Sequence, residues 1–274
     1  MKGLREVMND THEKVHEAAI QAISKIGSVI KCPEVGDMLE IIIRALADTS
    51  AHLNEALNLL LETSFVHAID APSLSLLVPL LDSGLMMHDN TSKQMAAQLM
   101  GNICSLTKDP TDLLPYMPIL MPAIKNSLFD SIPEIRASAA KAMGSLSRGL
   151  GIENSAEMLG WLRKHLNTRS IPTSEKLGAA QGFAELISVH GVPYYEVNVE
   201  EVIIKSEDED AEVRESYRSV IVFLPDSYEK FVDYLPRMVP IMIEGLADEV
   251  DQVRKISMRS VKICIKKYGK VAPN

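Results

Sequence analysis

The sequence begins with a pattern that could bind zinc. His12 and His16 lie four residues apart around Glu13. On a helix this arrangement is that of zinc hydrolases, in which two histidines hold the metal and the glutamate activates water. Alanine occupies both positions where the compact pattern requires a glycine and a third histidine. Glu34 is a conceivable third ligand, but it lies beside Pro33 in a turn. We interpret the motif as a solvent-exposed helix start, and a zinc assay distinguishes this interpretation from an enzyme.

Other residues that could do chemistry lack the spacing that catalysis needs. The sequence contains no Gly-x-Ser-x-Gly nucleophile elbow and no Gly-x-x-x-x-Gly-Lys phosphate loop. The densest acidic run, 206–210 followed by Glu212 and Glu215, lacks the central glycine of a calcium loop. We interpret it as a turn between helices with Ser206 or Asp210 as a cap, and a docking site is the alternative. The sequence therefore predicts no enzyme, no cofactor and no metal.

Five basic residues recur at one position of a repeated unit and are predicted to line one edge of the fold. This basic ladder consists of Lys93, Arg136, Lys176, Arg214 and Arg254. It could bind an acidic partner or RNA phosphates. Alternatively, it could pair within the chain, because aspartates shortly precede three of its members, namely Asp130, Asp208 or Asp210, and Asp248. Pairs of this kind at the surface contribute about 0–1 kcal/mol each. We favour intramolecular pairing and keep both interpretations open.

The ladder exists because a unit of about forty residues repeats along the chain. The unit is clearest at 130–146, where a polar turn and Ile135-Arg136 precede a helix rich in small residues. Aligned on this pair, its copies start at positions 15, 53, 92, 135, 175, 213 and 253. Such a period is typical of a solenoid of helical pairs, each burying its apolar face against its neighbours. We predict an all-α α-solenoid of about seven pairs that fills residues 1–274 as one segment of a longer array.

The predicted second helices carry small residues where neighbouring units should pack. Gly101 and Gly144 share one repeat position, which predicts close approach despite a helix-propensity cost of about 1 kcal/mol. Alanine pairs recur on the same face, at 18–19, 96–97, 139–140 and 179–180. In the sixth unit Tyr217 and Arg218 replace the alanines. We therefore expect a wider or rotated junction there.

The composition limits the classes of function. The 274 residues carry a net charge of −9, which disfavours DNA as a partner because phosphate affinity comes from Lys and Arg clusters. Three widely separated cysteines indicate reduced thiols. The start of the chain lacks the apolar core of a secretion signal, and no apolar run is long enough to span a membrane. We expect a cytoplasmic protein.

Several segments resemble one protein family in their residue sequence. They are Lys93–Thr107, Asp112–Pro118, Asp130–Leu146, Gly178–Leu186 and Gly245–Arg254. In these segments the chain is similar to the HEAT-repeat translational activators of the general amino-acid control pathway. The likeness covers about residues 72–274 and is weaker over the first seventy. It corresponds to the part of those activators in and just after their elongation-factor-three-like HEAT repeats.

The resemblance implies a non-enzymatic scaffold of translational control. Members of the family bind stalled ribosomes, partner with an ABC-type ATPase and promote activation of the initiation factor two alpha-subunit kinase. The resemblance places the kinase contact in a neighbouring region of the family's proteins. The alternative is a HEAT adaptor of nuclear transport or of a protein phosphatase, which would also be acidic.

Overall fold

The computed structural model describes residues 12–269, without the side chains of His16, Pro110 and Asn154. The described residues form thirteen α-helices and two 3₁₀ segments, with no strand among them. In chain order the helices are α1 (Glu13–Gly27), α2 (Pro33–Asp37), α3 (Leu39–Ala47), α4 (Thr49–Glu62), α5 (Ala71–Met86), α6 (Asn90–Leu106), α7 (Met117–Leu128), α8 (Pro133–Leu166), α9 (Thr173–Ile187), α10 (Val192–Lys205), α11 (Ala211–Ser227), α12 (Leu235–Gly245) and α13 (Asp251–Tyr268). The 3₁₀ segments, Pro110–Tyr116 and Glu229–Tyr234, lead into α7 and α12. The prediction of an all-α repeat fold is confirmed.

The helices alternate as the forty-residue period predicts. Helix α1 is the second helix of the first unit, and six complete pairs follow it between residues 33 and 268. The fourth and fifth units share the long helix α8, which is interrupted at Gly151. This glycine has a φ of 83°, a value that side chains with a Cβ rarely tolerate. Gly151 therefore ends the second helix of unit four, and the first helix of unit five starts directly after it.

Side chains in the turns fix where several helices begin. Asp48, Asp70, Asp89 and Asp210 each accept a hydrogen bond from a backbone N–H of the first helical turn. Such caps satisfy donors that have no partner inside the helix and stabilise it by about 1 kcal/mol. Other helices carry proline in their first turn, where its missing N–H costs nothing. The turn residues therefore explain the regular spacing of the helical pairs.

The chain divides into two compact units, Met1–Ser127 and Leu128–Asn274. The core of the first is aliphatic, and Leu53, Leu57 and Leu77 are fully buried there. The core of the second also contains aromatic side chains, including fully buried Phe183 and Tyr217. Each unit thus has an apolar interior of its own.

Small residues allow close helix packing, as predicted. A Cβ added to Gly144 would lie 3.3 Å from the Cβ of Glu185 on α9. Gly178 is tighter still, since a Cβ there would lie 1.8 Å from the carbonyl oxygen of Leu128. The alanine pairs of units three to five are buried. The expectation is wrong for Ala18, which is exposed beside buried Ala19.

None of the helices between residues 12 and 269 combines the length and the apolarity needed to cross a membrane.

Candidate functional site

The basic ladder is distributed over both compact units. Lys93 lies on α6 in Met1–Ser127. The other four members lie in Leu128–Asn274, in the first turn of the second helix of each of the repeats four to seven. Lys93 is partly exposed. Its charge contributes to lowering the pKa of Asp89, after the hydrogen bonds from the hydroxyl and the N–H of Ser92. The contacts of the remaining members differ from one repeat to the next.

The three arginines of the ladder share one local contact. In each, Nη1 donates to the two carbonyl oxygens that lie six and five residues earlier, at 2.7–3.0 Å. The residue six positions before each arginine is an aspartate. Its Oδ1 accepts a hydrogen bond from the backbone N–H two residues further along the chain, at 2.9–3.0 Å. One guanidinium and one carboxylate thus fix each turn between paired helices. The three turns begin at Asp130, Asp208 and Asp248.

Arg214 also connects two repeats. Its Nε and Nη2 donate to Oδ2 and Oδ1 of Asp248, in the turn of the next unit, at 3.0 and 3.1 Å. The two side chains are only 12% and 9% exposed. This bond comes first among the causes that raise the pKa of Arg214. Burial alone would raise the pKa of Asp248, but the bonds from Arg214 and Val250 N–H outweigh it and lower that pKa.

Lys176 and Arg254 complete the ladder in different ways. The Nζ of Lys176, which is buried, lies 2.7 Å from Oε2 of Glu215 in the following unit. The Nη2 of Arg254, whose side chain is 40% exposed, lies 3.2 Å from Oδ1 of Asp251 on its own helix. The acidic partners therefore come from the same chain, as intramolecular pairing requires.

Arg136 is the exception among the arginines. It is 7% exposed, and its Nη1 binds the carbonyls of Asp130 and Ser131. Its buried Nε has no hydrogen-bond partner among the described residues. Burial is the main cause that lowers the pKa of this guanidinium.

The sixth unit contains a buried polar network that sequence reasoning missed. Arg218 is 4% exposed and donates to the carbonyls of Ser206 and Ile241, so its charge lies near the C-terminal ends of α10 and α12. A cation is favourable at that end of a helix dipole. Tyr217 donates to Glu201 at 3.0 Å. The two side chains expected to make this junction wider or rotated are therefore enclosed within it. The signal in the sequence for buried polar contacts was an arginine at a position that is alanine in other repeats.

The conceivable third ligand of the zinc motif, Glu34, has other partners. His12 and Glu13 are exposed, and the side chain of His16 lies outside the description. Glu34 instead accepts bonds from the N–H groups of Val66 and His67 at 2.8 and 3.2 Å. No cluster of three potential metal ligands occurs among the residues that the structure describes.

The acidic run forms a turn in which Asp210 is the cap. Its carboxylate accepts from Glu212 N–H at 2.9 Å, as one of the two predicted alternatives states. Ser206 instead ends the preceding helix, where its hydroxyl bonds to a carbonyl of that helix. Asp208 and Asp210 also pair with Lys205 and Arg169. The run is therefore neutralised in part by its own neighbours.

The three cysteines, Cys32, Cys104 and Cys264, are free and buried. Burial raises the pKa of each thiol, to about 12 for Cys104 and about 11 for Cys264. Thiols of this kind are unreactive and pack as small apolar side chains.

Comparison with known proteins identifies one family. The model of the Elongation factor 3/GNC1 HEAT repeat matches residues 51–157. The chain is 41% identical to "eIF-2-alpha kinase activator GCN1" of Dictyostelium discoideum over 93% of its length and 38% identical to "Protein ILITYHIA" of Arabidopsis thaliana over 96%. It is 37% identical to "Stalled ribosome sensor GCN1" of Homo sapiens over 98%.

These matches extend the resemblance into the first seventy residues, where it was expected to be weaker. The chain spans 10% of the length of each of these relatives. With 37–41% identity to these large proteins over 93–98% of its length, the chain belongs to the GCN1 family of HEAT-repeat proteins.

Proposed function

We propose that the chain is a non-enzymatic HEAT-repeat scaffold segment of translational control, acting in the cytoplasm. Its role would be to help a longer protein bind stalled ribosomes and activate the kinase of the initiation factor two alpha subunit. The observation that carries the proposal is the identity to GCN1 relatives, whose names describe a kinase activator and a stalled-ribosome sensor. The repeat fold supports it, because repeats of helical pairs are commonly used to bind other macromolecules.

The proposal also assigns parts to neighbouring regions. In a parent protein with the length of these relatives, about ten times that of the chain, the kinase contact would use a neighbouring region, and an ABC-type ATPase would be a further partner. The present segment would contribute a continuous stretch of the array and contact the ribosome. Its ladder would mainly hold repeats together, because Lys176 and Arg214 pair with acids of the next repeat.

Co-sedimentation of the 274-residue chain with purified ribosomes tests the contact. We expect the chain to pellet with ribosomes and to be released by added salt, which screens exposed charges. If the chain stays in the supernatant at low salt, this segment does not contact the ribosome, and that part of the proposal is wrong.

Single substitutions separate the two interpretations of the ladder. Lys93→Glu changes a partly exposed ladder residue, whereas Lys255→Glu changes an exposed lysine outside the ladder and serves as the matched control. If the ladder faces the ribosome, the first variant should pellet less than the second. Equal pelleting would mean that the ladder is structural. Isolation of the parent protein with its partners tests the second candidate, because transport cargo or a phosphatase subunit in place of ribosomal proteins would favour an adaptor.

A further inference from the structure

Helix α10, the first helix of the sixth repeat, carries apolar side chains on two opposite sides. Tyr195, Val199 and Val202 form its buried side, and each of them is fully buried. On the other side, Val197 is 72% exposed and Ile204 is 60% exposed. A helix with one side in water normally carries polar residues there, and a helix that is apolar all round is normally covered all round. The exposed side of α10 is therefore suited to a partner.

The exposed apolar residues of α10 form one stripe along the helix. This apolar stripe consists of Pro193, Val197 and Ile204, at positions i, i+4 and i+11, which the helical period brings into one line. The remaining position of the line, i+7, is Glu200, and its carboxylate binds Arg237 of α12. At about 1.5 Å per residue the stripe is about 16 Å long. Its length matches about three turns of a second helix.

The stacking of repeats does not cover the apolar stripe. Helix α10 already has a neighbour on each side within the second compact unit, because Arg163 of α8 binds Glu201 and Arg237 of α12 binds Glu200. The stripe is also particular to the sixth repeat. Forty residues before and after Val197 and Ile204, the neighbouring helices instead carry the exposed charged residues Glu157, Lys164, Arg237 and Glu244.

Acidic side chains surround the apolar stripe. Among the exposed ionisable residues of α10, α12 and the second half of α8 (152–166), five are acidic and two are basic. The acidic ones are Glu153, Glu157, Glu196, Glu200 and Glu244, and the basic ones are Lys164 and Arg237. An acidic surface repels RNA phosphates, anionic lipids and a second copy of itself. The partner that fits is apolar on one side and basic beside it.

We propose that the apolar stripe of α10 docks a basic amphipathic helix of a partner protein. The partner helix lies along α10 and places apolar residues, spaced i, i+3, i+4 and i+7, on Val197 and Ile204. Its lysines and arginines lie beside Glu157 and Glu196. The apolar contact supplies affinity by removing exposed side chains from water, and the charges select the partner and its orientation. The proposal does not depend on the ribosome contact.

Methyl nuclear magnetic resonance of the 274-residue chain locates the site. The probe is a peptide of about five helical turns, with leucine on one side and lysine on the other. The control peptide has glutamate in place of each lysine. The lysine peptide should shift the Ile204 signal to saturation, and the glutamate peptide should not. The signal of Ile265, which is 65% exposed on α13, should not move with either peptide.

Calorimetry of matched variants measures the contribution of the stripe. Ile204→Gln should weaken binding of the lysine peptide by about tenfold, the factor that corresponds to about 1.4 kcal/mol. Ile265→Gln removes an equally exposed isoleucine and should leave the affinity unchanged. Glu157→Gln combined with Glu196→Gln should weaken the binding and reduce its dependence on salt. All of these side chains are exposed, so circular dichroism should show the same helix content in every variant.

Five results would overturn the proposal. Three of them are the absence of a saturable Ile204 shift with the lysine peptide, an equal shift with the glutamate peptide, and equal affinities of Ile204→Gln and Ile265→Gln. A fourth is an Ile204 shift with an oligouridylate or with vesicles of anionic lipid but not with the lysine peptide. The fifth is a dimer in analytical ultracentrifugation that Ile204→Gln abolishes, because the stripe would then bind a second copy of the chain.

Discussion

The bond between Arg214 and Asp248 should be one of the stronger links between neighbouring repeats. It consists of two charged hydrogen bonds between side chains that are 12% and 9% exposed. Pairs at an exposed surface contribute about 0–1 kcal/mol, whereas hydrogen bonds to charged groups in drier surroundings contribute about 1.5–3 kcal/mol. We expect a coupling energy of about 2 kcal/mol from a double-mutant cycle with Arg214→Met and Asp248→Asn.

The Nη1 bonds that Arg214→Met removes, to the carbonyls of Asp208 and Glu209, are lost in both arms of the cycle and cancel in the coupling energy. Asparagine retains the oxygen that accepts Val250 N–H, so the turn keeps its cap. The matched control is the cycle on Arg237 and Glu200, an inter-repeat pair whose side chains are 46% and 51% exposed. Solvent screens that pair, and we expect a coupling of at most about 0.5 kcal/mol there.

Urea unfolding provides the measurement. Trp161 is the single tryptophan, and its ring stacks on Phe129 at 5.1 Å in the unit that contains both pairs. Its fluorescence therefore reports unfolding of Leu128–Asn274, and coincidence with circular dichroism establishes that one free energy of unfolding describes the transition. A coupling for Arg214 and Asp248 no larger than that of the control pair would refute the reasoning.

Four further predictions concern other positions. Gly178→Ala should destabilise the fold strongly, because its Cβ would lie 1.8 Å from the Leu128 carbonyl. Gly160→Ala, where a Cβ meets nothing within 4 Å, should stabilise by about 0.5–1 kcal/mol in the same urea assay. The Nε2 of His190 lies 2.7 and 2.9 Å from the hydroxyl oxygens of buried Ser147 and Ser155, and burial lowers the pKa of His190 below 6.5. As the pH falls, the unfolded chain therefore takes up the proton on this histidine before the folded chain does. The stabilisation by neutral His190 should be complete above pH 6.5 and decline below it, which the melting temperature measures. His190→Gln should flatten this decline. The hydrogen bond from Val66 N–H lowers the pKa of Glu34 from 4.5, so the ionised carboxylate stabilises the fold above pH 4.5. Glu34→Gln should therefore lower the melting temperature above pH 4.5, and this difference should disappear in acid.

The repeat architecture could be predicted from the sequence because its signals are local. The capping aspartates and the Asp-to-Arg spacing each act within one turn or one helix, and the small residues recur at fixed positions of the repeat. The partners of Lys176 and Arg214 could not be predicted, because they lie in the next repeat and depend on how the helices stack. For the same reason, the alignment predicted only a wider or rotated junction at Tyr217 and Arg218, and it did not predict that carbonyls near two helix C-termini accept hydrogen bonds from the Arg218 guanidinium.

The candidate site was predictable only as a set of positions. The alignment of the ladder indicated that Arg136 and Arg214 are equivalent, and their Nη1 contacts confirm this. The alignment did not indicate that Arg214 has a carboxylate partner, whereas the Nε of Arg136 has none among the described residues. A missing partner matters only where the side chain is buried, and burial depends on the packing of the helices. The zinc motif shows the opposite case, because its local spacing is correct but Glu34, the conceivable third ligand, accepts the N–H groups of Val66 and His67 instead.

Asp248 has two roles that tie the folding of one repeat to that of the next. Its carboxylate closes its own turn through Val250 N–H and also holds Arg214 of the preceding repeat. A turn that has not formed cannot present the carboxylate, so the sixth repeat gains this bond only when the seventh is folded. In a linear array, such a shared residue adds to the interface energy between neighbours. When the chain is pulled from its ends, repeats six and seven should therefore lengthen in a single step, and after Asp248→Asn they should lengthen in two.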